Sequence, residues 1–193
     1  ARREIFDKVT DKFVDDVTVV SESQKAAIAI LDEQAQQIPD PALQTIVNEA
    51  RGHMEDAVEL LENAVETAYQ IIDQNPDKRI FLLSEMIHNP AVNADLLDRG
   101  VRFIQDTAGN QLVAWEELSS NDVVIVPAFG TTLETQAILQ SRGIDPYAYD
   151  TTCPFVEKVW NRADAIGKKD YTVIVHGKPS HEETKATFSH SQS

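Results

Sequence analysis

The sequence predicts an α/β protein with an N-terminal helical segment, a parallel three-layer α/β domain and the start of a second such domain. Two observations carry this prediction. Apolar residues recur at helical spacing up to Gln74, whereas short apolar runs alternate with helical stretches after Asn75. The predicted boundaries are 1–74 for the helical segment, 75–153 for the first α/β domain and 154–193 for the truncated beginning of the second.

The N-terminal segment is predicted to form a helical hairpin or a small bundle. Ser21 and the Asp40-Pro41 pair each predict the start of a helix. The most regular apolar line consists of Val58, Leu61, Val65, Ala68 and Ile72. Four glutamates share another face, namely Glu55, Glu59, Glu62 and Glu66. Because a carboxylate metal site in a bundle would need Glu-x-x-His pairs on facing helices, we interpret this face as solvated.

After Asn75 the pattern favours buried parallel strands separated by helices. The predicted strands are 80–83, 122–126, 147–150 and 172–175, with further candidates at 100–104 and 112–115. Helices are predicted at 93–98, 133–141 and 155–166. Ligands of such sheets collect at the carboxyl ends of the strands. The residues that follow predicted strands are His88, Phe129, Cys153 and Gly177, so this edge of the sheet is the candidate site.

Composition excludes several classes of protein. The chain has 193 residues, of which 42% are apolar, and a formal net charge of −15. This charge opposes nucleic-acid binding, which depends on Lys and Arg neutralising phosphates. With no apolar run of about eighteen residues and no signal peptide, we expect no membrane span. The single cysteine fits a reducing cytoplasm or plastid stroma, and the start at Ala1 suggests a processed or partial product.

Cys153 lies where a predicted strand ends and a predicted helix begins. Unpaired N–H groups and the positive end of the helix dipole favour a thiolate at such a position. Cys153 is therefore a candidate metal ligand or nucleophile, the alternative being a small buried apolar residue. Thr152 is a candidate ligand for a bound anion or, equally, the cap of the helix that begins at Pro154.

Four ordered motifs carry a family resemblance. They are Ser84-Glu85-Met86-Ile87-His88-Asn89-Pro90, Pro127-Ala128-Phe129-Gly130, Thr151-Thr152-Cys153-Pro154 and His176-Gly177-Lys178-Pro179-Ser180-His181-Glu182-Glu183-Thr184. Together they resemble the hydroxymethylbutenyl diphosphate reductases of the LytB type, which belong to the methylerythritol phosphate route to isoprenoids. Phe129 stands where many members carry a histidine, which resembles the plant and cyanobacterial branch.

The resemblance implies an iron–sulfur oxidoreductase that removes the hydroxyl of an allylic diphosphate to give isopentenyl and dimethylallyl diphosphates. It implies a [4Fe–4S] cluster held by three cysteines, of which Cys153 matches the second. His88 and His181 match the histidines that bind the substrate diphosphate. Glu183 matches the acid that delivers protons to the leaving hydroxyl. An electron donor such as ferredoxin or flavodoxin is the implied protein partner.

The chain departs from the family pattern in two ways, so membership of the family does not by itself imply that this chain is active. Val58 stands at the position of the first cluster cysteine, and the third cysteine would lie beyond Ser193. We therefore expect this chain alone to be incomplete for catalysis, with a partner chain as one source of the missing domain.

Two alternative functions are a non-catalytic diphosphate-binding or interaction module and a thiol enzyme that uses Cys153 with His181 as its base. His88 could also be a turn histidine bonded to backbone, and His176 is interpreted as structural.

Overall fold

The computed structural model describes residues 26, 28–30, 32–106, 108–169, 172–175 and 177–191. The described part divides between Glu62 and Asn63 into two compact units. Ser21 and His176 lie outside the described residues. The domain boundaries after residues 74 and 153 stay predictions.

The helix start at the Asp40-Pro41 pair is confirmed. Helix α1 spans Pro41–Gln74, and the carboxylate of Asp40 accepts a hydrogen bond from the Ala42 N–H at 2.9 Å. The acidic face predicted on this helix is exposed at Glu55, Glu59 and Glu66. Within the described ranges, no three His, Cys, Asp or Glu residues are grouped to hold a metal ion.

The sheet contains three parallel strands in the order β2-β1-β3. Strand β1 spans Ile80–Leu82, β2 spans Arg102–Phe103 and β3 spans Val123–Ile125. Leu82 at the end of β1 lies opposite Phe103 and opposite Ile125. The parallel α/β architecture predicted from the alternating pattern is confirmed.

Four further helices follow the strands and loops. They are α2 Pro90–Asp98, α3 Leu133–Ser141, α4 Pro154–Gly167 and α5 Glu182–His190. Helix α2 begins earlier than predicted because the side chain of Asn89 accepts from the Ala91 N–H and Pro90 fits the first helical position. Among the helices described, none has both the length and the apolar character needed to cross a bilayer.

The core of the α/β part is formed by residues of the sheet, of the loops and of helix α3. Nine buried apolar side chains form one cluster, namely Phe81, Leu83, Ile104, Val113, Leu118, Val124, Val126, Leu139 and Ile144. A polar contact joins the end of α1 to α2, where the hydroxyl of Tyr69 donates to Asp95 at 2.5 Å. The guanidinium of Arg99 also donates to Asp95 and lies over the Tyr69 ring.

Three predicted strands are wrong. Residues 147–149 form a turn, and only Asp150 pairs, through an isolated parallel bridge with Val126. Residues 112–115 lead into a short 3₁₀ helix at Trp115–Glu117. Residues 172–175 have no regular structure, and the side chain of Ile174 is 87% exposed. A strand needs a hydrogen-bonded neighbour, and no described residue pairs with this segment, so β propensity alone does not make it a strand.

Adjacent leucines on α2 test the core. Leu96 is 1% exposed and Leu97 is 50% exposed. We expect Leu96→Ala to lower the free energy of unfolding by about 2–5 kcal/mol, because the lost side chain leaves a cavity. Leu97→Ala is the matched control and should change it by about 0.5 kcal/mol or less. Urea denaturation measures both values, and equal losses would contradict the placement of this helix.

Candidate functional site

The loop that follows β1 is fixed by a buried asparagine. The side-chain oxygen of Asn93 accepts from the Met86 N–H at 3.0 Å, and its amide donates to the Ile87 carbonyl at 2.9 Å. Asn93 itself is 5% exposed, so these bonds form away from competing water. These two hydrogen bonds of Asn93 fix the backbone just before His88 and so set the position of that residue. The His88 side chain remains 51% exposed and can meet a ligand from solvent.

The loop that follows β3 delivers an aromatic ring to the same place. Phe129 stacks on His88 with ring centroids 4.3 Å apart and an angle of 24° between the planes. Gly130 has a φ of +72°, which turns the chain immediately after Phe129. Among the described residues, the His88 ring contacts Phe129, His181 and Glu85, and no hydrogen bond joins it to a backbone group, which argues against a turn histidine bonded to backbone.

Helix α5 brings in the second histidine. His181 is the N-cap residue of α5, and its ring centroid lies 5.2 Å from that of His88. Contacts along the helix hold it in place. The ring of His190 stacks on Trp160 at 3.8 Å, and the indole N–H of Trp160 donates to the hydroxyl of Thr187. Two histidines that are distant in sequence therefore face each other at the carboxyl edge of the sheet.

Cys153 lies at the start of a helix, as predicted, but the segment before it is a turn with a single bridge at Asp150 and not the predicted strand. It is the N-cap residue of α4, and its backbone N–H donates to the Ala128 carbonyl at 2.9 Å. This bond connects the Cys153 loop to the loop that carries Phe129. The thiol is free and partly exposed. Its position at the N-terminus of α4 places the thiol beside the unpaired N–H groups of the first turn.

Thr152 is not the cap of helix α4. The helix begins at Pro154, so its N-cap is Cys153, and the hydroxyl of Thr152 instead donates to the carboxylate of Asp150 at 2.5 Å. The backbone N–H of Thr152 donates to the same carboxylate oxygen at 2.9 Å. This Asx turn shapes the loop before Cys153. A role for Thr152 in binding an anion stays a prediction.

The carboxyl group inside the site belongs to Glu182. Glu182 is half-buried, and the hydroxyl of Ser84 donates to its side chain. Burial raises the pKa of the Glu182 carboxyl above its ordinary value, although the Ser84 hydroxyl and the imidazoles of His88 and His181 oppose this shift. Glu183, which the sequence analysis singled out, is exposed in the first turn of α5.

Sequence reasoning missed Glu182 and Ser84. Ser84 lies just beyond the carboxyl end of β1, so the rule that ligands bind at strand ends could have found it. Glu182 follows the capping residue His181 directly, and a carboxylate in the first turn of a helix is common for electrostatic reasons alone. Only the packing of α5 against the loop after β1 shows that the side chain of Glu182, and not that of Glu183, lies inside the site.

A basic cavity lies at the opposite edge of the sheet. It has a volume of about 480 Å³, and its lining includes Lys78, Arg79, Arg99 and Arg102. Three of these cations are already paired with carboxylates, since Arg79 bonds Asp122, Arg99 bonds Asp95 and Arg102 lies 3.7 Å from Glu117. These pairs compensate much of the positive charge, so the cavity is a weaker candidate for an anion than the histidine pair.

The residues present do not fit a [4Fe–4S] cluster. The chain contains one cysteine, and three thiolates are implied for the family cluster. Val58, at the expected position of the first cysteine, lies within α1 and has no atom that could ligate iron. The described ranges contain no other set of three ligands around Cys153.

The structure has a parallel α/β sheet with two imidazoles and one thiol at its carboxyl edge. This is the arrangement that the four motifs predicted for a protein of the LytB class. A family model described as LytB protein matches residues 61–193, and the chain belongs to the LytB family. The match begins after Val58, so that position lies outside the matched stretch.

Curated relatives point to a particular kind of enzyme. Proteins named 4-hydroxy-3-methylbut-2-enyl diphosphate reductase from Crocosphaera subtropica and Prochlorococcus marinus are each 43% identical to this chain over 129 residues. The match covers 67% of this chain and 31% of each relative, so the chain spans about a third of their length. Both organisms are cyanobacteria, in agreement with the branch that Phe129 indicated.

Two solved structures share the fold. One is described as (E)-4-hydroxy-3-methyl-but-2-enyl diphosphate reductase, the terminal enzyme of the non-mevalonate pathway, with a TM-score of 0.54 and 24% identity. The other is the E-1-hydroxy-2-methyl-but-2-enyl-4-diphosphate reductase from Plasmodium falciparum, with a TM-score of 0.58 and 21% identity. They match 68% of this chain and cover 42% and 38% of their own. These likenesses confirm the fold.

A substitution at Gly130 tests how closely its loop packs against the ring of Trp160. A Cβ at this position would lie 2.2 Å from the Trp160 ring, and the φ of +72° disfavours any L side chain. We expect Gly130→Ala to lower the free energy of unfolding by the strain of the positive φ, about 1–2 kcal/mol. The clash should add about 1–3 kcal/mol.

Gly100 supplies the matched control. Its φ is +88°, and a Cβ there would meet nothing within 4 Å. Gly100→Ala should therefore lower the free energy of unfolding only by the strain of the positive φ. Thermal or urea unfolding of both variants gives the difference, and equal losses would contradict the contact between Gly130 and Trp160.

Proposed function

We propose that this chain supplies the diphosphate-binding part of a LytB-type reductase. The whole reaction is the reductive removal of the hydroxyl of an allylic diphosphate, which gives isopentenyl and dimethylallyl diphosphates. The observation that carries the proposal is the convergence of His88 and His181, whose ring centroids lie 5.2 Å apart. An iron–sulfur oxidoreductase of this kind also needs an electron donor such as ferredoxin or flavodoxin, which is part of the proposal.

The surroundings of the two imidazoles support an anionic ligand. Helix α2 begins just after His88, and helix α5 begins just after His181. The N-terminus of α5 has no side-chain cap, so it presents unpaired N–H groups and the positive end of a dipole. Helix α2 contributes mainly its dipole, because Pro90 has no N–H and Asn89 caps the Ala91 N–H. Imidazole N–H groups add hydrogen bonds that strengthen when the acceptor carries charge. This local arrangement can bind a diphosphate in a chain whose net charge is −15.

Each side chain then has a distinct proposed role. His88 and His181 donate hydrogen bonds to the oxygens of the diphosphate, and Phe129 fixes the plane of the His88 ring by stacking. Thr152 is the proposed hydroxyl ligand at the Cys153 loop. Glu183 is the proposed acid for the leaving hydroxyl and lies next to the site in the first turn of α5. A carboxyl acts as a general acid only within hydrogen-bond reach of its acceptor, so this role requires the exposed side chain to turn inward.

Cys153 is the proposed contribution of this chain to iron binding. One thiolate is too few for a tightly held [4Fe–4S] cluster, because affinity depends on several cysteine ligands acting together. The remaining ligands would come from a partner chain or from further protein. No step of the reaction is therefore derived through the cluster for this chain.

A non-catalytic diphosphate-binding module is the second candidate. The valine at position 58, where the first cluster cysteine is expected, favours it, because anion binding at the histidine pair needs no iron. A thiol enzyme is less well supported. Among the described residues, the thiol of Cys153 has no hydrogen bond to a histidine that could serve as its base.

Binding of inorganic pyrophosphate tests the histidine pair. We expect His88→Ala and His181→Ala each to weaken pyrophosphate binding about tenfold or more, because each removes a charge-assisted hydrogen bond. Isothermal titration calorimetry measures the affinity. His53→Ala, at an exposed position of α1, is the control and should bind as the unaltered chain does. Unchanged affinity in both site variants would refute the assignment of the site.

Iron content tests how many cluster ligands the chain supplies. After anaerobic reconstitution of the isolated chain with iron and sulfide, we expect less than about one four-iron cluster per chain and no turnover of the allylic diphosphate. Cys153→Ser should lose whatever iron remains. A stoichiometric cluster with reductase activity would contradict the proposal that the chain supplies only one ligand.

A further inference from the structure

The half-buried carboxyl of Glu182 faces the same space as the proposed ligand. Its side chain accepts a hydrogen bond from the Ser84 hydroxyl, across the gap between α5 and the loop after β1. The imidazoles of His88 and His181 and the carboxylate of Glu85 are the titratable groups that act on it from those elements. Two carboxyl groups and two imidazoles thus share one small region of the site.

An ionised Glu182 would oppose an anionic ligand. It would repel a diphosphate, and it would attract the two imidazoles that the diphosphate needs. A protonated Glu182 does neither, because it is neutral and its O–H can donate a hydrogen bond. Partial burial raises the pKa of Glu182 and the nearby Glu85 adds to this, so protonation of this carboxyl costs less than that of an exposed one.

We propose that Glu182 belongs to the anion site and that, when a phosphate-type anion is bound, the Glu182 carboxyl is protonated and donates a hydrogen bond to it. The proposal rests on the proposed function, because the anion is the diphosphate end of the substrate. No covalent bond changes. Binding takes up one proton from solvent onto the Glu182 carboxylate, and release of the anion returns it. Since the bound form holds the proton, the affinity for the anion falls as the pH rises through the pKa of Glu182 in the free protein.

The experiment measures proton uptake when inorganic pyrophosphate binds to the full chain. Calorimetric titrations in buffers of different ionisation enthalpy, from about pH 6 to about pH 8, give the number of protons exchanged. Glu182→Gln keeps the shape and a donor but cannot exchange a proton. We expect this variant to take up about one proton fewer than the unaltered chain and to keep its affinity at the upper end of the range. Protonation of pyrophosphate itself is the same in both titrations and cancels.

The control is Glu134→Gln, an equal change of charge at an exposed position in the first turn of α3. It should exchange as many protons as the unaltered chain. Ser84→Ala is an independent second variant. Loss of the Ser84 hydroxyl removes an interaction that lowers the pKa of Glu182, so the fall in affinity should move to higher pH.

The outcomes separate this proposal from the proposed function. If the unaltered chain binds pyrophosphate but Glu182→Gln exchanges as many protons, the role of Glu182 is refuted while the anion site stands. A pH profile that does not move in Ser84→Ala refutes it as well. If the unaltered chain binds no pyrophosphate at any pH, both the anion site and the role of Glu182 are refuted.

Discussion

The parallel pairing of β1 with β3 is the constraint on which the site depends. Leu82 and Ile125 lie opposite each other in the same direction, so the loops after both strands leave the sheet at one edge. That shared exit brings Phe129 onto His88, with ring centroids 4.3 Å apart. An antiparallel pairing would send the two loops to opposite edges. The chemistry at this edge thus follows from strand direction before any side chain is considered.

Helix α5 completes the site through contacts that are distant from the histidines. The Trp160 and His190 rings stack at 3.8 Å and fix one end of α5, while Ser84 bonds Glu182 at the other. This arrangement sets both the imidazole of His181 and a carboxyl beside the loop after β1. Under the proposed function, the site consequently combines groups that attract an anion with one that repels it when ionised. Its electrostatics depend on proton occupancy as well as on geometry.

The sequence predicted the parts of the fold that depend on local pattern. Helices α2 to α4 follow from apolar spacing, and the position of Cys153 at a helix start follows from Pro154. It did not predict that residues 172–175 would stay unpaired, because pairing depends on a neighbour and not on the segment itself. Glu182 was missed for a related reason. Which of two adjacent glutamates faces inward is decided by how α5 packs, and both carry the same local signal.

A crystal structure of the chain with inorganic pyrophosphate tests the central claim most directly, namely that one anion site lies between the two histidines. The account predicts pyrophosphate within hydrogen-bond distance of the rings of both His88 and His181, at the N-terminus of α5. Pyrophosphate bound instead in the cavity lined by Arg79 and Arg102, or the two imidazoles bound to separate groups, would contradict it.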